Sequence, residues 1–336
     1  MPLGWYLAQG LYPLEPASSD DEEGPCTLPN GRTVCGPHGL VVCGKCCTDY
    51  SFMDEVDGSD GEDDEDEDDD EDDEYGDWGH GHRLGYLESP SVSLFGMASV
   101  PRPAPTRFGG GTSRETGQVL PTKYSPRRPV HPMELFPNQR NSMGFGRFIH
   151  SCDPSSFLVF TDGACLNNGQ QNPRAGWAFV FGMRGGQPIV ASGRLEKKGP
   201  FGDDGAQTSN RAELRAVIAA LRFRYWPGEA SGAGGHRFFT TLTIATDSEY
   251  VVEGCTTWVA NWIRRDWKTA GNTNVKNKDL WQSLLGEVES LAAGGLSVRF
   301  WRIPREWNEM ADEAAKRAAA SNDVADQWRD VLGTMC

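Results

Sequence analysis

No stretch of this 336-residue chain reaches the roughly 18 uninterrupted apolar residues that a membrane-crossing helix needs. No membrane partner is therefore expected. Met1 to Glu23 lacks a basic start and a sustained apolar core, so it does not read as a secretory signal. Cysteine is too unevenly spread for a disulfide scaffold, since five of the nine fall between Cys26 and Cys47. Lysine and arginine are missing from residues 54–77, where 18 Asp and Glu crowd together. These absences together predict an intracellular protein in a reducing compartment, with nucleus and cytoplasm ahead of the mitochondrion.

The acidity belongs to one segment. Without those 18 acids the formal charge of −16 becomes +2. Residues 153–320 hold 20 Lys and Arg against 18 Asp and Glu, and residues 79–150 hold 9 against 3. The acidic run, 51–78, cannot bury a core and is expected to stay solvated. It could mimic nucleic acid in the chain's own basic channel, or engage a basic protein partner. Residues 79–152, rich in Pro, Gly and Arg with little periodicity, read as a flexible linker, and residues 1–25 as disordered. The N-terminal half is thus expected to be largely disordered, and residues 323–336 to form a C-terminal tail. Within 26–50, Cys35, His38, Cys43 and Cys46 follow the spacing C-x2-H-x4-C-x2-C. Thiolates and an imidazole so placed can close a tetrahedron around one structural Zn²⁺, with Gly36, Gly39 and Gly44 allowing the turns. Reduced cysteines on an arm fit the same residues, and Cys26 or Cys47 could replace one ligand.

Past residue 153 the pattern becomes regular. Phe157 to Cys165 is an apolar run ending in Thr161-Asp162-Gly163, which predicts a buried strand carrying a carboxylate at its end. Leu242 to Tyr250 repeats that grammar and delivers Asp247. Between them Gly176–Gly182 and Pro188–Leu195 read as strands of an antiparallel meander. Thr208 or Ser209 caps a helix to about Tyr225 that carries Glu213. Helical stretches follow near 250–253, 257–264 and 278–292, then a strand at 296–303 and a helix from Asn308 that carries Asp312. Four acids would then converge on one sheet edge, where they repel unless cations sit among them. Oxygen-only ligands suit Mg²⁺ or Mn²⁺, and two such ions can serve both the attacking and the leaving oxygen of a phosphodiester.

On TDGAC, TSNRAEL, ATDSEYVVEGCTTWVANWIRRDWKTAGNTNVKNKDLW and NEMADEAAK, the chain resembles type 1 ribonuclease H, in a eukaryotic cellular variant, over about half its length. The resemblance implies an α/β ribonuclease H-like fold with a five-stranded mixed sheet flanked by helices, over residues 153–322. It also implies an endoribonuclease that hydrolyses the RNA strand of RNA–DNA hybrids with two Mg²⁺ (or Mn²⁺), leaving 3′-hydroxyl and 5′-phosphate ends. Asp162, Glu213, Asp247 and Asp312 match the metal-binding acids. Asn210 matches a minor-groove contact, with Ser209 and Asn167 or Asn168 beside it. Arg264, Arg265, Trp267, Lys268 and Asn277 match the family's basic, phosphate-gripping surface, whereas Trp258 and Trp262, four apart, are expected to pack inside.

The resemblance stops in two places. The family's catalytic-loop histidine has no counterpart in Trp301 to Asn308, where Arg305 is the candidate for gripping an oxyanion, and no hybrid-binding domain follows Trp5-Tyr6. A catalytically silent, hybrid- or protein-binding adaptor is the rival reading.

Overall fold

The computed structural model describes residues 12–13, 25–27, 33–35, 40–43, 48–49, 114–141, 144–224, 226–231, 237–269, 272–331 and 333. The acidic run, residues 79–113 of the presumed linker and the side chains of Cys35, His38, Cys43 and Cys46 lie outside the described residues, so the zinc reading lies there too. Near the N-terminus, Tyr12–Pro13, Pro25–Thr27 and Thr33–Cys35 pair as one small antiparallel sheet, and Val42–Cys43 with Thr48–Asp49 as another.

The main sheet is built from β1 (Thr122–Lys123), β2 (Asn138–Arg140), β3 (Gly146–Ile149), β4 (Ser156–Leu166), β5 (Arg174–Arg184), β6 (Gln187–Arg194), β7 (Thr241–Thr246) and β8 (Ser297–Arg302). Their order is β6-β5-β4-β7-β8-β1, with the β2–β3 hairpin attached through β3 to β4. β5 runs antiparallel to both β4 and β6, whereas β7, β8 and β1 run parallel to β4. The helices are α1 (Pro132–Leu135), α2 (Ser209–Arg222), α3 (Glu249–Glu253), α4 (Val259–Arg264), α5 (Lys278–Ala293) and α6 (Glu309–Ala320), with a wide π-type turn, Gly254–Trp258, joining α3 to α4. Each strand and helix expected after residue 153 is present.

The expected five strands form the centre of this mixed α/β sheet, and three more come from residues assigned to the linker. That assignment is corrected for residues 114–150. Strands of two to four residues carry too few side chains to show an alternation. They form because longer strands offer them backbone partners, as when Phe148 and Ile149 pair with Leu158 and Phe157.

Because successive side chains of a strand point to opposite faces, β4 is buried on both. Phe157 and Val159 face the helical layer with Trp177, Phe179, Leu214, Val217, Leu284 and Leu285. Leu158 and Phe160 face a second layer with Phe136, Phe148, Trp301 and Ala311. Here α6 lies close to β5 because its inner face is alanine (Ala314, Ala315, Ala319). A Cβ on Gly176 would stand 2.3 Å from the Ala319 nitrogen.

Two buried arginines fasten the flanking segments. Arg147 of β3 meets Glu229 through Nε to Oε2 and Nη2 to Oε1, both 2.9 Å, and the Asn141 amide donates to Oε2 at 2.9 Å. Arg224 reaches Oε1 at 3.1 Å. Arg215 of α2 pairs in the same forked way with Glu196 and donates to the Arg329 carbonyl. Its guanidinium carbon lies 4.0 Å from the Trp328 ring centroid and 4.7 Å from that of Trp177. The C-terminal residues are thereby clasped to α2, and Ala325 is buried.

Candidate active site

Asp162 is placed by β4, whose pleat turns it inward at the point where β5 pairs through Ala178. Glu213 comes from α2, in its second turn. The cap that starts this helix is Thr208, whose hydroxyl accepts from the Arg211 nitrogen. Asp247 follows the last residue of β7, and Ser248 then caps α3 by accepting from the Val251 nitrogen. Two strands and a helix thus bring one carboxylate oxygen of each acid to within 4.8 Å of the others. Asp162 is 3% exposed and Glu213 8%.

This approach depends on Gly163. A Cβ there would stand 2.1 Å from the Glu213 nitrogen and 2.4 Å from the Ala212 carbonyl carbon, so the backbones of β4 and α2 touch where any side chain would separate them. Gly163→Ala is expected to push α2 outward, removing Glu213 from the cluster. Overpacking of this kind costs about 1–3 kcal/mol. Catalytic activity measured beside the melting temperature will fall much further than stability; full activity in a stable variant would contradict this.

The electrostatics are those of crowded, dry acids. Burial holds the Asp162 carboxyl well above the ordinary carboxylate range, and Asp247 and Asp312 add repulsion against a smaller opposing pull from Arg305. Glu213 is also raised well above that range, by burial and then by Asp162 and Asp247, against Arg305 and a backbone hydrogen bond from Gly163. Glu213 Oε2 is buried without a hydrogen-bond partner among the described residues. Three oxygen donors, an orphaned buried oxygen and the raised carboxyls of Asp162 and Glu213 are what a hard divalent cation would satisfy, so the residues present fit such an ion.

Asp312, the fourth expected acid, stands apart from this trio. Its two oxygens are taken by Arg305 Nη2 at 3.1 Å and, one helical turn on, Lys316 Nζ at 2.6 Å. Its charge still reaches Asp162. Arg305 is accordingly where an arginine could act on the cluster, at the rim and exposed.

The expected substrate contacts divide. Asn210 and Ser209 share the first turn of α2 with the approach to Glu213, but Ser209 is 2% exposed and its hydroxyl accepts from Asn168 Nδ2 at 3.0 Å. The expectation of a direct Ser209 contact is corrected: the hydroxyl secures the Asn168 turn. Arg264 and Arg265 are exposed at the end of α4, and Lys268 is half-buried in the loop beyond. Trp267 was expected on that surface with them. It is instead 4% exposed, and its Nε1 donates to Glu115 Oε1 at 3.0 Å. It packs in the core with Trp262, because the segment 114–120 lies over it. Asn277, at φ 56°, donates to the Tyr250 hydroxyl at 3.2 Å, and its Oδ1 accepts from Arg211 at 3.4 Å.

One residue escaped the sequence reading. Asn308 is 1% exposed, and its Nδ2 donates to Asp247 Oδ1 at 2.7 Å and to the Thr161 carbonyl at 3.0 Å. As the first residue of a helical stretch it reads as an ordinary cap, which hides a side chain directed elsewhere.

Comparison with known proteins places residues 154–320 within the sequence model of the RNase H family. The chain is 37% identical over 180 residues to a ribonuclease H of Treponema pallidum, covering 50% of this chain and 95% of that protein. It is 38% identical over 171 residues to a ribonuclease H of Cereibacter sphaeroides, covering 49% and 96%. Among solved structures it is similar to LC9-RNase H1, a type 1 RNase H with the type 2 active-site motif, at 28% identity and a TM-score of 0.34, covering 49% of this chain and 72% of that one.

Proposed function

We propose, from the premise that this chain belongs to the ribonuclease H family, that it cuts the RNA strand of RNA–DNA hybrids with two divalent ions, leaving 3′-hydroxyl and 5′-phosphate ends. The observation that carries this is the convergence of Asp162, Glu213 and Asp247 from two strands and a helix onto one point, within 4.8 Å.

Asp162, Glu213 and Asp247 would hold the ions, and Asp312 would join them when released from Arg305 and Lys316. Mg²⁺, with Mn²⁺ able to substitute, supplies when bound the Lewis-acid charge needed by in-line attack of water on phosphorus as the bond to the 3′ oxygen breaks. The protein's residues supply position. Asn210 reads the minor groove, where the 2′-hydroxyl separates RNA from DNA. Arg264, Arg265 and Lys268 grip phosphates along one strand by charge, and Asn277 adds an amide to the same surface. Arg305, freed from Asp312, offers a two-pronged donor to a phosphate oxygen. Among the described residues no helix is long and apolar enough to cross a membrane.

The test is cleavage of an end-labelled RNA–DNA hybrid by the full chain with Mg²⁺, beside double-stranded RNA and double-stranded DNA of the same sequence. Cutting confined to the hybrid, with the RNA fragments carrying 3′-hydroxyl ends, is the expected result. Binding of the hybrid without cutting, in either Mg²⁺ or Mn²⁺, would move the assignment to a silent adaptor.

A further inference from the structure

Asn308 sits where an asparagine ordinarily caps a helix. It immediately precedes α6 and has no side-chain capping hydrogen bond. Such a cap stabilises a helix when made, through the side-chain oxygen accepting from the second or third helical nitrogen. The oxygen of Asn308 is instead buried without a partner among the described residues, which adds the desolvation cost of an unsatisfied acceptor. Both sacrifices accompany the direction taken by the amide nitrogen, which donates to the Asp247 carboxylate and the Thr161 carbonyl. The orientation of the amide follows from these partners, because both are acceptors and only the NH₂ end can satisfy them. Thr161 is the residue before Asp162, and Asp312 lies one turn along the helix that Asn308 opens, its nitrogen donating to the Asn308 carbonyl at 3.0 Å. One side chain therefore ties together the strand bearing Asp162, the carboxylate of Asp247 and the helix bearing Asp312.

We infer that Asn308 is a positioning residue for the metal-binding carboxylates: by donating to Asp247 Oδ1 and to the Thr161 carbonyl together, it fixes the Asp247 carboxylate relative to Asp162 before an ion binds. Without it Asp247, the most exposed of the three, is free to rotate away from two buried acids that repel it. Partners that orient a metal ligand in this manner are worth about 10–100-fold in metal affinity. The inference rests on the proposed divalent-ion site.

The experiment is calorimetric titration of the full chain with Mn²⁺ and with Mg²⁺, nucleic acid absent, for the wild type, Asn308→Ala and Asn308→Asp. Melting temperatures are taken with and without metal. Asp keeps the size of Asn but replaces the donor with a second carboxylate. Both variants are expected to bind metal about 10–100-fold more weakly, and the rise in melting temperature that metal gives the wild type should shrink with them. Folded variants with wild-type affinity and an unchanged metal-dependent rise would overturn the inference while leaving the metal site standing. So would failure of both variants to fold under conditions where Asp247→Asn folds, since the amide would then serve the fold alone. A wild type that binds neither ion would remove the metal site and the inference together.

Discussion

Asp162→Asn will abolish hybrid cleavage and, in the absence of metal, make the protein more stable. The first effect follows from the position of Asp162 among three converging carboxylates, the most buried of the trio. Losing its charge removes several kcal/mol of the interaction that a bound ion provides, which is about 10³-fold or more in rate. The second follows from the sign of its electrostatics. Burial and the neighbouring Asp247 and Asp312 raise the Asp162 carboxyl above its unfolded value, and Glu213 is raised in the same sense. A carboxyl raised on folding contributes most below its unfolded pKa, and that contribution is lost as pH climbs through the folded pKa. The metal-free wild type should therefore lose stability on going from the ordinary carboxylate range toward neutral pH. Asp162→Asn, with one of the crowded acids neutral at every pH, should show a shallower loss and a higher neutral melting temperature. Added Mg²⁺ should raise the wild-type melting temperature by mass action and leave the variant nearly unmoved. Melting curves across pH, with and without Mg²⁺, check all three. A variant less stable than the wild type at neutral pH without metal would show that the acids are not crowded as described.

The largest effect on stability is expected at Glu229, far from this chemistry. Its side chain is 5% exposed and takes hydrogen bonds from Arg147, Asn141 and Arg224. Arg147, 1% exposed, also donates from Nη1 to the Gly146 carbonyl at 2.8 Å and lies among the rings of Phe145, Phe181 and Trp226. Glu229→Leu would leave that guanidinium buried without its counter-charge, a loss of about 3–5 kcal/mol. For a domain of this size that corresponds to a fall of about 10 °C or more in melting temperature. Arg147→Met should be milder, because Glu229 keeps Arg224 and Asn141 and the replacement fills the same apolar space. The double variant should lose less than the two single losses added together. Thermal melts of the three proteins decide it, and a Glu229→Leu loss no larger than that of Arg147→Met would show that the pair does not hold the β2–β3 hairpin to the domain.

By itself the sequence determined the succession of strands and helices after residue 153, the acids they carry and the family they belong to. These are short-range signals. An apolar run closing in Thr-Asp-Gly, or a threonine before a helical stretch, states its local structure within a few residues. The tertiary structure decided where side chains go, because that depends on partners far away along the chain. Trp267 is in the core because Glu115, 152 residues earlier, reaches its indole. Residues 122–123, 138–140 and 146–149 of the presumed linker are part of the sheet because strands of two to four residues exist only through their neighbours. Asp312 stands outside the trio because Arg305 and Lys316 occupy its oxygens. Asn308 serves Asp247 rather than its own helix because folding brings that carboxylate, 61 residues away, to within 2.7 Å of its amide. No pattern along the chain encodes that distance.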